Sequence, residues 1–130
     1  NIKYAESNDG VDWNLNNNIA IETKFKNEAL GRPWVIKENN IYKMYYSRRG
    51  SSDYRNKNGQ HYTIGYAESL DGINWVRKDE KSAIEVSANG WDSEMIEYAS
   101  IFKYNNKQYM FYNGNTFGKS GFGYAILEED

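Results

Sequence analysis

Hydrophobic and polar residues alternate with period two along most of this chain. Ile41, Lys43, Tyr45 and Ser47 fall on one side of an extended segment, and Tyr42, Met44 and Tyr46 on the other. Ile64, Tyr66 and Glu68 alternate in the same way with Gly65, Ala67 and Ser69. No window keeps apolar residues at i, i+3, i+4 and i+7 for three turns. The pattern therefore predicts strands, with helix below about 10%. Four strands are expected in the middle of the chain, at about 34–38, 41–47, 62–68 and 74–78. Pro33 stands at the head of the first, where its missing N–H does least harm.

The same spellings recur. "YAESNDGVDW" (4–13) returns as "YAESLDGINW" (66–75), and "VIKENNIYKMYYS" (35–47) parallels "IFKYNNKQYMFYN" (101–113). "FGYAIL" (122–127) echoes "IGYAES" and "IKYAES". One unit thus spans about 60 residues, in the range of repeat arrays. Asn39-Asn40 and Asn105-Asn106 read as tight turns between strands. Asp9-Gly10 and Asp71-Gly72 supply residues that accept positive φ in a hairpin, with Ser7 and Ser69 placed to bond the turn N–H groups. Trp13 and Trp75 are expected in equivalent, largely buried places beside those turns. The chain reads as one partial all-β domain. Residues 1–21 are the outer strands of one unit, 32–79 a complete four-stranded unit, and 98–127 three strands of the next. Such units read as blades of a β-propeller, which needs about four or more blades to close. The remaining blades are expected from further sequence or from homo-oligomerisation.

Composition narrows the partners. Charged residues make up 26% of 130 residues and the net charge is −2, so neither nucleic acid nor a membrane surface is expected as a partner. Arg48-Arg49 is too small a basic cluster to change that. Aromatics reach 16%, with 12 Tyr and 4 Trp, which suits an all-β core or a sugar-binding surface. There is no Cys, hence no disulfide framework and no thiolate chemistry. No run approaches the roughly 18 apolar residues of a membrane helix. No signal peptide is visible, so a cytoplasmic location is favoured, with any upstream portion left open because the chain begins at Asn1. Neither metal nor cofactor is expected. Asp9 and Asp71 lack the dense oxygen ligands of a calcium loop. His61, in "NKNGQHY", is a lone histidine. "NGNTFGKSGFG" lacks the spacing of a phosphate-binding loop.

"YAESLDGINW", "GRPWVIKENNIYKMYYS" and "WDSEMIEYASIFKYNNKQYMFYNGNTFGKSGFGYA" together resemble the five-bladed β-propeller superfamily of glycoside hydrolase families 43, 32, 62 and 68 and the related mannoside phosphorylases. The ending resembles the C-terminal part of uncharacterised glycosidase-like members. The resemblance implies a carbohydrate ligand and two carboxyl groups at the starts of innermost strands of different blades. Typical strings there are Asp-Pro and Glu-x-Pro; here the two inner strands begin "GRPWV" and "EYASI". Glu97 stands at the general-acid position, with Ala99 in place of the proline, whereas the other strand offers Arg32 and no carboxylate. Asp92 and Glu94, in "GWDSEM", are the further catalytic candidates, and Glu28 aligns with Glu94 one unit earlier. Arg32 can fork two hydrogen bonds to a ligand. Trp34 and Trp91 offer flat faces for sugar rings, Tyr98 a hydroxyl, and Asn113 and Asn115 amides from the glycine-rich loop. Arg32 and Glu97 are expected to share a pocket with Asp92 and Glu94 on its rim. The leading reading is a glycoside hydrolase-like protein whose 130 residues are inactive in isolation. The alternative is a non-catalytic, lectin-like propeller assembled from several chains. A second carboxylate facing Glu97 separates the two.

Overall fold

A computed structural model of the chain describes residues 1–55 and 59–128 and folds them into three antiparallel sheets. The first pairs β1 (Ile2–Lys3) with β2 (Ile19–Ile21). The second runs in chain order through β3 (Glu28–Glu38), β4 (Ile41–Gly50), β5 (Thr63–Ser69) and β6 (Val76–Arg77). The third holds β7 (Glu97–Tyr104), β8 (Lys107–Asn113) and β9 (Phe122–Ile126). Among the described residues, helical structure is confined to a 3-10 turn at Asp79–Lys81 and one turn at Asn115–Gly118. The molecule is all-β, as the alternation predicts.

Period-two alternation sorts the side chains of the middle sheet onto two buried faces. Met44, Tyr46 and Ala67 pack with Ile2, Ala20 and Ile21 of the first sheet. Tyr45, Ile64 and Tyr66 pack with Ile96, Ile101, Met110 and Tyr112 on the third-sheet side. The middle sheet is therefore apolar on both sides, and each fully buried large side chain contributes about 1.5–3 kcal/mol. Both Asn-Asn pairs form the expected turns, with φ of 47° and 63° at Asn39 and Asn40 and 48° and 60° at Asn105 and Asn106. Glu38, just before the first of these turns, pairs with Lys43 and with Lys103 of the third sheet, fastening the two hairpins together.

The repeated "SxDG" phrase bonds to itself. The Ser69 hydroxyl accepts the N–H of Gly72 at 2.8 Å, and the Asp71 carboxylate accepts those of Ile73 and Asn74 at 2.8 and 2.7 Å. Ser7 and Asp9 repeat the set with Gly10, Val11 and Asp12. These bonds explain why β6 is shorter than 74–78: the Asn74 N–H is already taken by the turn. The two tryptophans part company. Trp75 is half-buried against the cluster shared by the first and middle sheets, and its indole N–H donates to the Gly72 carbonyl at 3.0 Å. Trp13 is 59% exposed, which corrects the expectation of equivalent burial. Its hairpin is held by the isolated bridge Glu6↔Asn14 and the Tyr4 N–H to the Asn18 carbonyl rather than by a continuous ladder, and it presents the indole to solvent.

Strand β3 also differs from expectation, beginning at Glu28 rather than near 34 and running straight through Pro33. A bulge at Gly31–Trp34 lets the ladder pass a residue that has no N–H to give.

Behind β4, Asp79 is buried and gathers donors from several elements. It accepts the Tyr46 hydroxyl at 2.5 Å, Arg77 Nε at 2.7 Å, Arg48 Nη1 at 3.1 Å and the Tyr66 N–H at 3.3 Å. Lys24 pairs with it at 3.1 Å, and Arg77 also grips Glu28 with both terminal nitrogens at 2.8 and 2.5 Å. Burial alone would raise the Asp79 pKa; hydrogen bonds from Tyr46, Arg77 and Lys24 outweigh it and hold the carboxyl below its usual range.

Candidate functional site

The middle and third sheets carry the same irregularity at the same repeat position. In β3 the register steps from Gly31↔Ser47 to Trp34↔Tyr45, so two residues oppose one. In β7 it steps from Glu97↔Asn113 to Ser100↔Phe111. Arg32 and Tyr98 occupy the matching positions, with φ of 53° and 59°. A left-handed backbone on a long side chain costs on the order of 1 kcal/mol and persists only where its surroundings enforce it. Here the Tyr98 N–H donates to the buried Ser47 hydroxyl at 3.0 Å, tying one bulge to the neighbouring sheet. The Arg32 guanidinium lies 4.7 Å from the centre of the Tyr98 ring, so the bulges also meet through their side chains.

Beside this junction stands Glu97, with 0% exposure and no hydrogen-bond partner for either carboxyl oxygen among the described residues. Burial pushes its pKa up to about 7, while the charge of Arg32 pulls it partly back. A buried carboxyl without a partner is costly, and native proteins keep few of them. Near neutrality this group holds or releases a proton, which is the property a general acid requires.

A cavity of about 150 Å³ opens between Gly31, Arg32, Ser47, Arg49, Tyr62 and Tyr98. Arg49 is fixed in its wall: the guanidinium sits 3.6 Å from the Tyr54 ring centre, Nε donates to the Tyr62 hydroxyl at 2.8 Å, and Nη1 to the Gly50 carbonyl at 2.7 Å. Tyr62 meets Tyr98 edge-on at 5.8 Å, and Phe117 closes against Tyr62 and Tyr54. Burial first, and then the Tyr62 hydroxyl, push the Tyr98 pKa up to about 12.

The structure thus brings Arg32, Tyr98 and Glu97 together, with Asn113 directly across the strand pair from Glu97. Of these four only Arg32 and Tyr98 line the cavity; Glu97 stands beside it, which corrects the expectation that it shares a pocket with Arg32, and the remaining candidates also lie outside the lining. Trp34 is 44% exposed next to the bulge. Trp91 stacks on Tyr112 at 5.2 Å and fills the space left by Gly114 and Gly123, where any Cβ would strike its ring. Asp92 is buried and accepts the Tyr112 hydroxyl at 2.8 Å. Glu94 is exposed, and its N–H and that of Met95 donate to the Asn115 side-chain oxygen, while the Asn115 amide donates to the Gly90 carbonyl. Asn115 is a clamp on the loop that carries Trp91. Glu28 is committed to Arg77. The His61 ring contacts the Tyr54 carbonyl, and among the described residues no group of three His, Cys, Asp or Glu could hold a metal.

Sequence reasoning missed Arg49, Tyr62 and Ser47. Alternation held a signal for Arg49: consecutive residues point to opposite faces, so Arg48 and Arg49 reach different partners. Arg48 turns to Asp79 and Arg49 to the cavity.

No protein-family model matches this sequence. Two Mycobacterium tuberculosis proteins described as uncharacterized, Rv1502 of strain ATCC 25618 / H37Rv and MT1551 of strain CDC 1551 / Oshkosh, are each 37% identical over 128 residues, covering 98% of this chain and 40% of theirs. A beta-1,2-mannobiose phosphorylase of Thermoanaerobacter sp. (strain X514) is 33% identical over 100 residues, covering 72% of this chain and 32% of that protein. The chain spans 40% or less of the length of these relatives. Two solved structures, one described as a glycoside hydrolase and the other as a BT0996 RGII complex, superpose with TM-scores of 0.68 and 0.67 at 20% and 21% identity. Each match covers 95% of this chain and 34% of the solved one. The likeness is one of fold, and the fold is glycosidase-like.

Proposed function

We propose that this chain forms part of a glycosidase-like β-propeller and that the paired bulges build its glycan site. The observation that carries the reading is Glu97: solvent-shielded, unpartnered, poised near neutral pH and set on a strained bulge beside Arg32. In this reading Glu97 is the general acid, Arg32 and Tyr98 orient the sugar, and Asn113 adds an amide across the strand pair. A hydrolytic pair needs a second carboxyl group. The cavity lining supplies none, Glu97 itself standing beside the cavity rather than in its wall, so in this reading the second group comes from another blade and the 130 residues bind glycans without cleaving them.

The exposed face of the third sheet supports the propeller. Phe111, Phe122 and Tyr124 are open to solvent there. Their repeat counterparts Tyr45, Ile64 and Tyr66 are buried under the third sheet itself. The same aromatic face recurs one unit on without its cover, as it would where another blade packs, whether from further sequence or from a second copy. A lectin-like assembly is the second reading, favoured by the absence of acid in the cavity lining.

The test is oligosaccharide binding by the chain, followed by NMR, with Glu97→Gln alongside. Chemical-shift changes centred on Arg32, Tyr98 and Asn113 are expected, with no product released. Changes confined to Trp34, or binding wholly indifferent to Glu97→Gln, would remove the bulge junction from the site.

A further inference from the structure

The four arginines nearest the middle sheet divide into two classes. Arg48 and Arg77 each contact a carboxylate, Asp79 for both and Glu28 for Arg77. Arg32 and Arg49 have no carboxylate within ion-pair distance among the described residues, yet both line one cavity. In a chain of net charge −2, with 18 acidic side chains available, that leaves two guanidinium groups on a cavity lined by no acidic residue, with Glu97 acting on Arg32 through its charge from outside the lining.

The size of the cavity restricts what enters it. About 150 Å³ is half the lower end of the roughly 300–1,000 Å³ that enclose a whole small molecule. It accommodates one functional group. The donors fit an oxyanion: the Arg32 guanidinium can present a fork that matches carboxylate and phosphate geometry, Arg49 adds its charge while its Nε and Nη1 stay on Tyr62 and Gly50, and the Ser47 hydroxyl, which accepts from the Tyr98 N–H, keeps its own proton to donate. Gly31 makes the room. It stands where Glu97 stands in the next unit, and a Cβ built on it meets nothing within 4 Å.

We propose that the cavity between Arg32 and Arg49 holds the oxyanion of an acidic sugar, a carboxylate or a phosphate ester, while the sugar ring lies outside it. This rests on the glycan reading of the same junction and names the class of glycan.

The test is calorimetric titration of the chain with glucose, galactose and mannose, each set against its hexuronate and its 6-phosphate. At least one charged sugar is expected to bind ten-fold or more tightly than its neutral parent. Tighter hexuronate binding assigns the carboxylate, and tighter 6-phosphate binding the phosphate ester. Arg32→Gln is expected to weaken the charged sugar at least ten-fold. Gly31→Val, whose added methyl groups fill the cavity without a backbone clash, should abolish its binding while the melting curve stays native. Equal affinity for neutral and charged sugars would overturn the oxyanion site and leave the glycan reading standing. Undiminished binding of the charged sugar by both variants would place the anion elsewhere and overturn it too. Failure of every sugar to bind would bring down both readings.

Discussion

Asp79 and Glu97 are both withdrawn from solvent, and the chain treats them in opposite ways. Asp79 is met by Tyr46, Arg77, Arg48, Lys24 and the Tyr66 N–H, so its charge is matched from every side and its pKa falls. Glu97 is met by no donor among the described residues, and its pKa rises to about 7. Burial acts on both with the same sign; what differs is whether hydrogen bonds to the charged form outweigh it. A saturated carboxylate is a rivet between elements. An unsaturated one keeps its bonding capacity for something that arrives later.

The sharpest way to break the contrast is to remove the matched charge. Asp79→Ala leaves the Tyr46 hydroxyl and Arg77 Nε without their acceptor, though Arg77 keeps Glu28, and should cost on the order of 3 kcal/mol. Urea denaturation at pH 7 measures it; a loss below about 1 kcal/mol would mean the network is decoration.

The pH dependence comes next. A carboxyl whose folded pKa exceeds its unfolded value binds its proton more tightly when folded, so stability declines as pH rises from about 4.5 to about 7. The Glu97 contribution to that decline is up to about 3 kcal/mol. Asp79 has the opposite sign: its contribution is present above pH 3.8 and disappears as pH falls through its depressed folded pKa. Stability should therefore peak in mild acid, and Glu97→Gln should flatten the alkaline limb while leaving the acid limb alone. Urea midpoints from pH 3 to 9 decide this, and an identical alkaline limb in the two proteins would refute the assignment.

The smallest effect compares two glycines. Gly65→Ala drives a methyl group into the Tyr46 ring and Asp79, and should cost about 1–3 kcal/mol. Gly31→Ala meets nothing and should stay within about 0.5 kcal/mol. Thermal melts of the pair would show whether packing is tighter beside Asp79 than at the β3 bulge.

Much of the scaffold was legible beforehand. Alternation located the main strands, and the repeated Asn-Asn and Ser-x-Asp-Gly spellings located turns whose chemistry is local to a few residues. The bulges were not legible, because neither Arg nor Tyr prefers positive φ; Arg32 and Tyr98 are held there by tertiary contacts. Pro33 was the one clue, since a proline inside a continuing strand implies a bulge. Trp13 and Trp75 share a spelling but not a burial, because burial depends on which sheet lies beneath. Glu97 was legible only through the resemblance, as the residue at the general-acid position of a Glu-x-Pro string. Its isolation depends on what its neighbours fail to offer, and no single chain position records that.

The paired bulge has a consequence for how such a chain changes over generations. Backbone geometry at 31–32 and at 97–98 is set by strand register and by contacts elsewhere, so the side chain there is free to vary without redesigning its mount. The repeated unit carries the mount twice. One copy carries Gly-Arg and leaves a hollow; the other carries Glu-Tyr and fills it with an acid. A single codon at either place exchanges hollow for acid or acid for hollow while the sheets beneath keep their register.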